Sequence, residues 1–131
     1  MVNFASAVPI LPVSDLESAV SNYEELGFDV TPHEGGGYAF ALRDEVAVHL
    51  GQVPETDPLS SQVAIYLYVD DADALASLWE DKPGKVVHPV DTEYGMREGA
   101  YLDEDGNLIR FGSQNQGVGN PDNGRQGEPN E

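Results

Sequence analysis

Residues 94–112, YGMREGAYLDEDGNLIRFG, read as a strand, an acidic turn and a second strand. Asp105, Gly106 and Asn107 are turn formers; Gly and Asn tolerate the left-handed backbone of a tight reversal, and Leu108 to Phe111 resume as an extended apolar run. The local reading is therefore a β-hairpin. Such a turn carries no function by itself, but here it closes a pattern that occurs twice in the chain.

Val13-Ser14-Asp15 and Val69-Asp70-Asp71 each end a strand and open a helix, and each helix precedes three strands. In the first half, residues 6–13 read as a strand broken by Pro9 and Pro12, which belongs on an edge. Ser14 to Glu17 has the spacing of a capping box, and Leu16, Ala19, Val20, Tyr23 and Leu26 share one helical face up to Gly27. Strands follow near 28–33, 38–43 and 45–51. Residues 52–61, QVPETDPLSS, form a polar connection. The second half repeats the order: a strand at 62–69, a helix capped by Asp70 or Asp71 with Ala72, Leu75, Ala76, Leu78 and Trp79 inward, a stop at Pro83-Gly84, and strands near 85–90, 97–103 and 107–112. The expected fold is α+β, two βαβββ modules over about 5–51 and 62–112. One module alone exposes a sheet face, so the two are expected to pair their sheets into an open, barrel-like cleft with the helices outside. Residues 1–112 then form a single domain. Residues 113–131 contain one aliphatic residue, Val118, too little to offset their ordering entropy, so a disordered tail is expected.

With 131 residues, 40% of them hydrophobic, the chain suits one domain with a real core. No run approaches the roughly 18 to 20 apolar residues of a membrane span, and the N-terminus lacks the pattern of a signal peptide. With no cysteine in the chain, disulfides and thiol chemistry are excluded, and the expected location is the cytoplasm. Twenty-four acidic against six basic residues, net −18, argue against nucleic acid and anionic membranes as partners. The charge has two readings, a field that attracts a cationic ligand or adaptation to high salt, and titrating affinity and stability against salt separates them. The Glu34-Gly35-Gly36-Gly37 run is followed by no Gly-Lys-Ser/Thr and no helix, so it reads as a loop rather than a phosphate cradle.

The segments AVPILPVSDLESAV, YEELGFDV, YLYVDDADAL and YGMREGAYLDEDGNLIRF together resemble the vicinal oxygen chelate superfamily over residues 5–112, and within it the bleomycin-resistance branch. Enzymes of that superfamily hold a divalent metal at four places on the concave sheet. The matching positions here are Pro9, a place at or near His49, Ala64 and Arg110. A proline, an alanine and a guanidinium do not make a ligand set, and an arginine there repels a cation. His33, His49 and His88 fall on separate strands without ligand spacing. No metal, cofactor or catalytic residue is therefore expected.

Period two along the strand from Val63 to Val69 sets Val63, Ile65, Leu67 and Val69 on one side and Ala64, Tyr66 and Tyr68 on the other. The resemblance implies a groove between two subunits, lined by aromatic residues at positions matching Tyr38, Tyr66, Tyr68 and Tyr94, on which a flat part of the ligand stacks. His49 and Arg110 join these as expected ligand-binding residues. The implied function is non-enzymatic sequestration of a planar, cationic small molecule by a homodimer that exchanges its N-terminal strands. The alternatives are a metal-dependent lyase or dioxygenase of the same fold, and a regulatory or interaction module.

Overall fold

A computed structural model of the chain describes residues 2–60 and 63–115. The elements are β1 (Ile10–Val13), α1 (Leu16–Glu25), β2 (Asp29–Pro32), β3 (Tyr38–Arg43), β4 (Val46–Gln52), β5 (Ala64–Tyr68), α2 (Ala72–Trp79), β6 (Lys85–Asp91), β7 (Met96–Leu102) and β8 (Leu108–Gln114). They form two four-stranded sheets, β1-β4-β3-β2 and β5-β8-β7-β6. In each the first strand runs parallel to the last, and the other pairs are antiparallel. The α+β architecture of two βαβββ modules is thus the one that the repeat implies.

Local details depart from the expectation in four places. The helix N-cap is Asp15, not Ser14: its extended backbone (φ −131°) lets Oδ1 accept from Glu17 N at 3.1 Å and Ser18 N at 3.4 Å. Ser14 instead donates its N–H to Asp105 Oδ1 at 2.8 Å. β1 is confined to Ile10–Val13, the residues in register with β4, and Pro12 is tolerated because β1 is an edge strand. Leu78 is exposed; at 100° per residue the buried stripe of α2 runs through Leu75, Ala76 and Trp79 and leaves Leu78 at its margin. β8 also continues to Gln114, so Ser113 is a buried strand residue whose Oγ accepts from Ala72 N at 2.9 Å. Residues 116–131 of the expected tail lie outside the described residues.

The two sheets are not closed into a barrel. The modules meet through their helix-covered sides, which share one apolar cluster that includes Leu11, Tyr23 and Leu50 from the first half and Trp79, Ile109 and Phe111 from the second. Two polar locks fasten this seam. At the end of α1, the carbonyl of Leu26 has no helical partner and accepts from Trp79 Nε1 and Arg43 Nη1, both at 3.0 Å. Gly27 makes the second donor fit: its φ of +104° suits the helix stop, and a Cβ there would lie 2.3 Å from Arg43 Nη1.

The second lock is the 103–107 turn. Asp103 Oδ1 accepts from the N–H groups of Asp105 (2.9 Å) and Asn107 (2.8 Å), while Oδ2 accepts from Tyr23 Oη (2.8 Å) and Asn107 Nδ2 (3.0 Å). Asn107 Nδ2 also donates to the Pro12 carbonyl at 2.9 Å, and Gly106 supplies the positive φ of the reversal. Burial and the Asp103 carboxylate together push the Tyr23 phenol pKa well up, so it stays a donor.

Asp103→Ala leaves the Tyr23 hydroxyl and the turn N–H groups without their acceptor and is expected to lower unfolding stability by about 3 kcal/mol. Tyr23→Phe is expected to cost about 1 to 2 kcal/mol alone and clearly less in the Asp103→Ala background, as measured by urea denaturation.

Candidate functional site

Packing the helix sides together leaves each sheet with a second face that no described element covers. On β3 and β4, alternation buries Ala39, Ala41, Val48 and Leu50 and turns Tyr38, Phe40, Leu42, Ala47 and His49 to this open face. Four rings gather there. Tyr38 Oη and His49 Nδ1 are hydrogen-bonded at 2.8 Å, and Phe40 meets His49, Tyr38 and His33 edge-on at centroid distances of 4.9, 5.6 and 6.0 Å. Such perpendicular contacts suit the ring quadrupoles and fix the rings as a unit.

On the second sheet, Ile65 and Leu67 pack inward and Tyr66 and Tyr68 turn outward. Two residues apart on one strand, their rings lie parallel, 4.9 Å between centroids and 7° between planes. The stack depends on Gly112 of β8: a Cβ at that position would sit 2.1 Å from Tyr66 Oη, so glycine lets the ring lie against the sheet. Tyr66 Oη is shielded from solvent with no hydrogen-bond partner among the described residues, whereas Tyr68 is 70% exposed. Burial, reinforced by the nearby Glu98 carboxylate, raises the Tyr66 pKa far above that of a free phenol.

Tyr94 stands on the β6–β7 turn, which Gly95 closes with a φ of +86°, and its hydroxyl donates to Glu98 Oε1. That bond is the main cause of the upward shift of its own pKa. Arg110 is exposed on β8, beside Tyr66 in register, and makes no ion pair among the described residues. Arg97, by contrast, turns to the helix side and joins Asp73 of α2 at 3.1 Å and Asp91 at 3.2 Å.

The six expected residues thus fall into two groups, Tyr38 with His49 on one sheet and Tyr66, Tyr68, Tyr94 and Arg110 on the other. No ring contact or hydrogen bond joins the groups among the described residues. Sequence reading missed Phe40, which the period of two from Tyr38 signals, and Glu98, whose place emerges only from the register with Gly112. A further groove of about 500 Å³ lies between the modules, floored by Phe28, Leu67, Leu75 and Trp79 with Asp44 and Asp70 at its rim.

The model of the Glyoxalase/Bleomycin resistance protein/Dioxygenase superfamily matches residues 4–111. The chain belongs to this superfamily. A bleomycin resistance protein of Geobacillus stearothermophilus is 26% identical over 127 residues, covering 82% of this chain and 96% of the relative. Among solved structures, the bleomycin resistance determinant encoded on the transposon Tn5 superposes with a TM-score of 0.75 at 26% identity, over 86% of this chain and 99% of the other. The bleomycin-binding protein of bleomycin-producing Streptomyces verticillus, complexed with copper(II)-bleomycin, gives 0.71 at 25% identity, over 85% and 97%.

The metal that the enzymatic members of the superfamily imply does not fit the residues here. Ala64 offers no donor, Arg110 brings a positive charge, and Pro9 has no ligating side chain, so His49 alone of the four places could bind a metal. No three His, Asp or Glu side chains converge on a common point among the described residues.

Proposed function

We propose that this superfamily member sequesters a planar small molecule bearing a cationic group, without chemical change, on the open sheet faces of a homodimer in the cytoplasm. The observation that carries the reading is the parallel Tyr66–Tyr68 pair, presented on a face that no described element covers. Aromatic stacking and cation–π contact contribute about 0.5 to 2 kcal/mol each, so two rings and a surrounding negative field together reach useful affinity. The similarity to bleomycin resistance and bleomycin-binding proteins supports the same chemistry.

The homodimer follows from the split of the aromatic residues. A two-fold operation that sets the first sheet of one copy against the second sheet of its partner brings Tyr38 and His49 opposite Tyr66 and Tyr68, twice over. Exposed Ile10, Leu42, Val87 and Leu102 supply apolar surface for that contact. The segment before β1, with Val2 and Phe4 more than 80% exposed, is the arm proposed to exchange between subunits.

Titration calorimetry with bleomycin is expected to give saturable binding that Tyr66→Ala and Tyr68→Ala each weaken by about 1 to 3 kcal/mol. Undiminished affinity in both variants would remove the tyrosine face from the reading. Light scattering is expected to report about twice the 14.1 kDa chain mass, and a stable monomer at micromolar concentration would contradict the shared groove.

A further inference from the structure

Glu98 caps no helix and joins no cation among the described residues. Elsewhere in the chain, Asp15 and Asp71 cap helices, Asp103 ties a turn, and Asp73 and Asp91 hold Arg97. Glu98 instead stands in the middle of β7, half-buried, on the same open face as Met96 and Ala100 and opposite Gly112 of β8. Its Oε1 accepts from Tyr94 Oη, and no cation lies within 4 Å of it among the described residues. A partly desolvated carboxylate without a positive partner is unfavourable, yet the adjacent turn supplies a tyrosine that holds it in one orientation. Beside it lies the shielded Tyr66 hydroxyl, whose pKa the Glu98 carboxylate helps to raise, and the Tyr66–Tyr68 stack stands on β5, one strand beyond β8 on the same face.

We infer that Glu98 is the residue that selects the charge of the ligand: it accepts an N–H from an ammonium or amidinium group attached to a planar system stacked on Tyr66 and Tyr68. Tyr94 orients the carboxylate through Oε1, and the ligand N–H is taken by the other oxygen in competition with the neighbouring Tyr66 hydroxyl. A charge-assisted bond of this kind is about twice as strong as a neutral one. Arg110 sits diagonally across the β7–β8 pair, since its register partner is Ala100 while that of Glu98 is Gly112. Its guanidinium repels a cation placed over β8, so the positive end of the ligand lies over β7 and its acceptor atoms lie toward Arg110. This inference rests on the stacking reading above and adds to it the charge that is read and the residue that reads it.

Two dyes of the same three-ring shape separate the two ideas: 9-aminoacridine, a cation at neutral pH, and acridine, which is uncharged. The wild-type protein is expected to bind 9-aminoacridine about tenfold or more tighter than acridine by fluorescence titration. Glu98→Gln keeps an acceptor for Tyr94 and is expected to remove that preference while leaving acridine affinity unchanged. Equal binding of the two dyes by wild type, or an undiminished preference in Glu98→Gln, overturns the role of Glu98 and leaves stacking intact. If wild type binds neither dye, the stacking reading itself falls and this inference with it. The wild-type comparison needs no variant, so a poorly folding Glu98→Gln does not blunt the test.

Discussion

The Asp103 carboxylate holds the chain together as one body. Its two oxygens take four hydrogen bonds, three from its own turn and one from Tyr23 of α1. Asn107, fixed by that carboxylate, reaches on to the Pro12 carbonyl in β1. A buried charge is tolerated only where its acceptor sites are filled, and here filling them requires residues from both halves of the chain. The second lock works by the same logic: the last carbonyl of α1 is satisfied by an indole N–H from α2. The apolar contact between modules is non-directional, and these bonds give it one register.

The consequence for function is geometric. Once the helix sides are spent on each other, the remaining face of each sheet has no partner among the described residues, and the side chains there are chosen under different constraints. Inward positions carry Ala39, Ala41, Val48, Ile109 and Phe111, whereas the outward ones carry Tyr38, Phe40, His49, Tyr66, Tyr68, Glu98 and Arg110. Aromatic rings with one carboxylate and one guanidinium on an open sheet face suit recognition better than packing. Glycine at position 112 fits the same account, since any side chain there would lift Tyr66 off the sheet.

Much of this was legible in the sequence, for local reasons. Helices, strands and the duplicated order depend on periodicity and on residues a few positions apart, and period two alone sorted Tyr66 and Tyr68 to the outward face. What escaped was non-local. Tyr23 and Asp103 are 80 positions apart, and Trp79 and Leu26 are 53 apart, so neither lock leaves a trace in spacing. The open pair of four-stranded sheets was legible from the duplicated module, whereas the apolar cluster that joins the two halves was not. The cap is Asp15 rather than Ser14, and the Ser14 N–H is tied to Asp105, 91 positions away, a contact that spacing does not reveal. Glu98 looked like one more solvated acid among 24 until register placed it beside Tyr66.

The central claim is that ligand recognition belongs to the open tyrosine face and not to the larger groove between the modules. A crystal structure of the protein grown with bleomycin tests this directly. The account predicts electron density for the planar part of the ligand against Tyr66 and Tyr68, with Tyr38 and His49 of a second copy across from it. Density seated instead in the groove beside Trp79 and Leu75, with the tyrosine face unchanged, would contradict it.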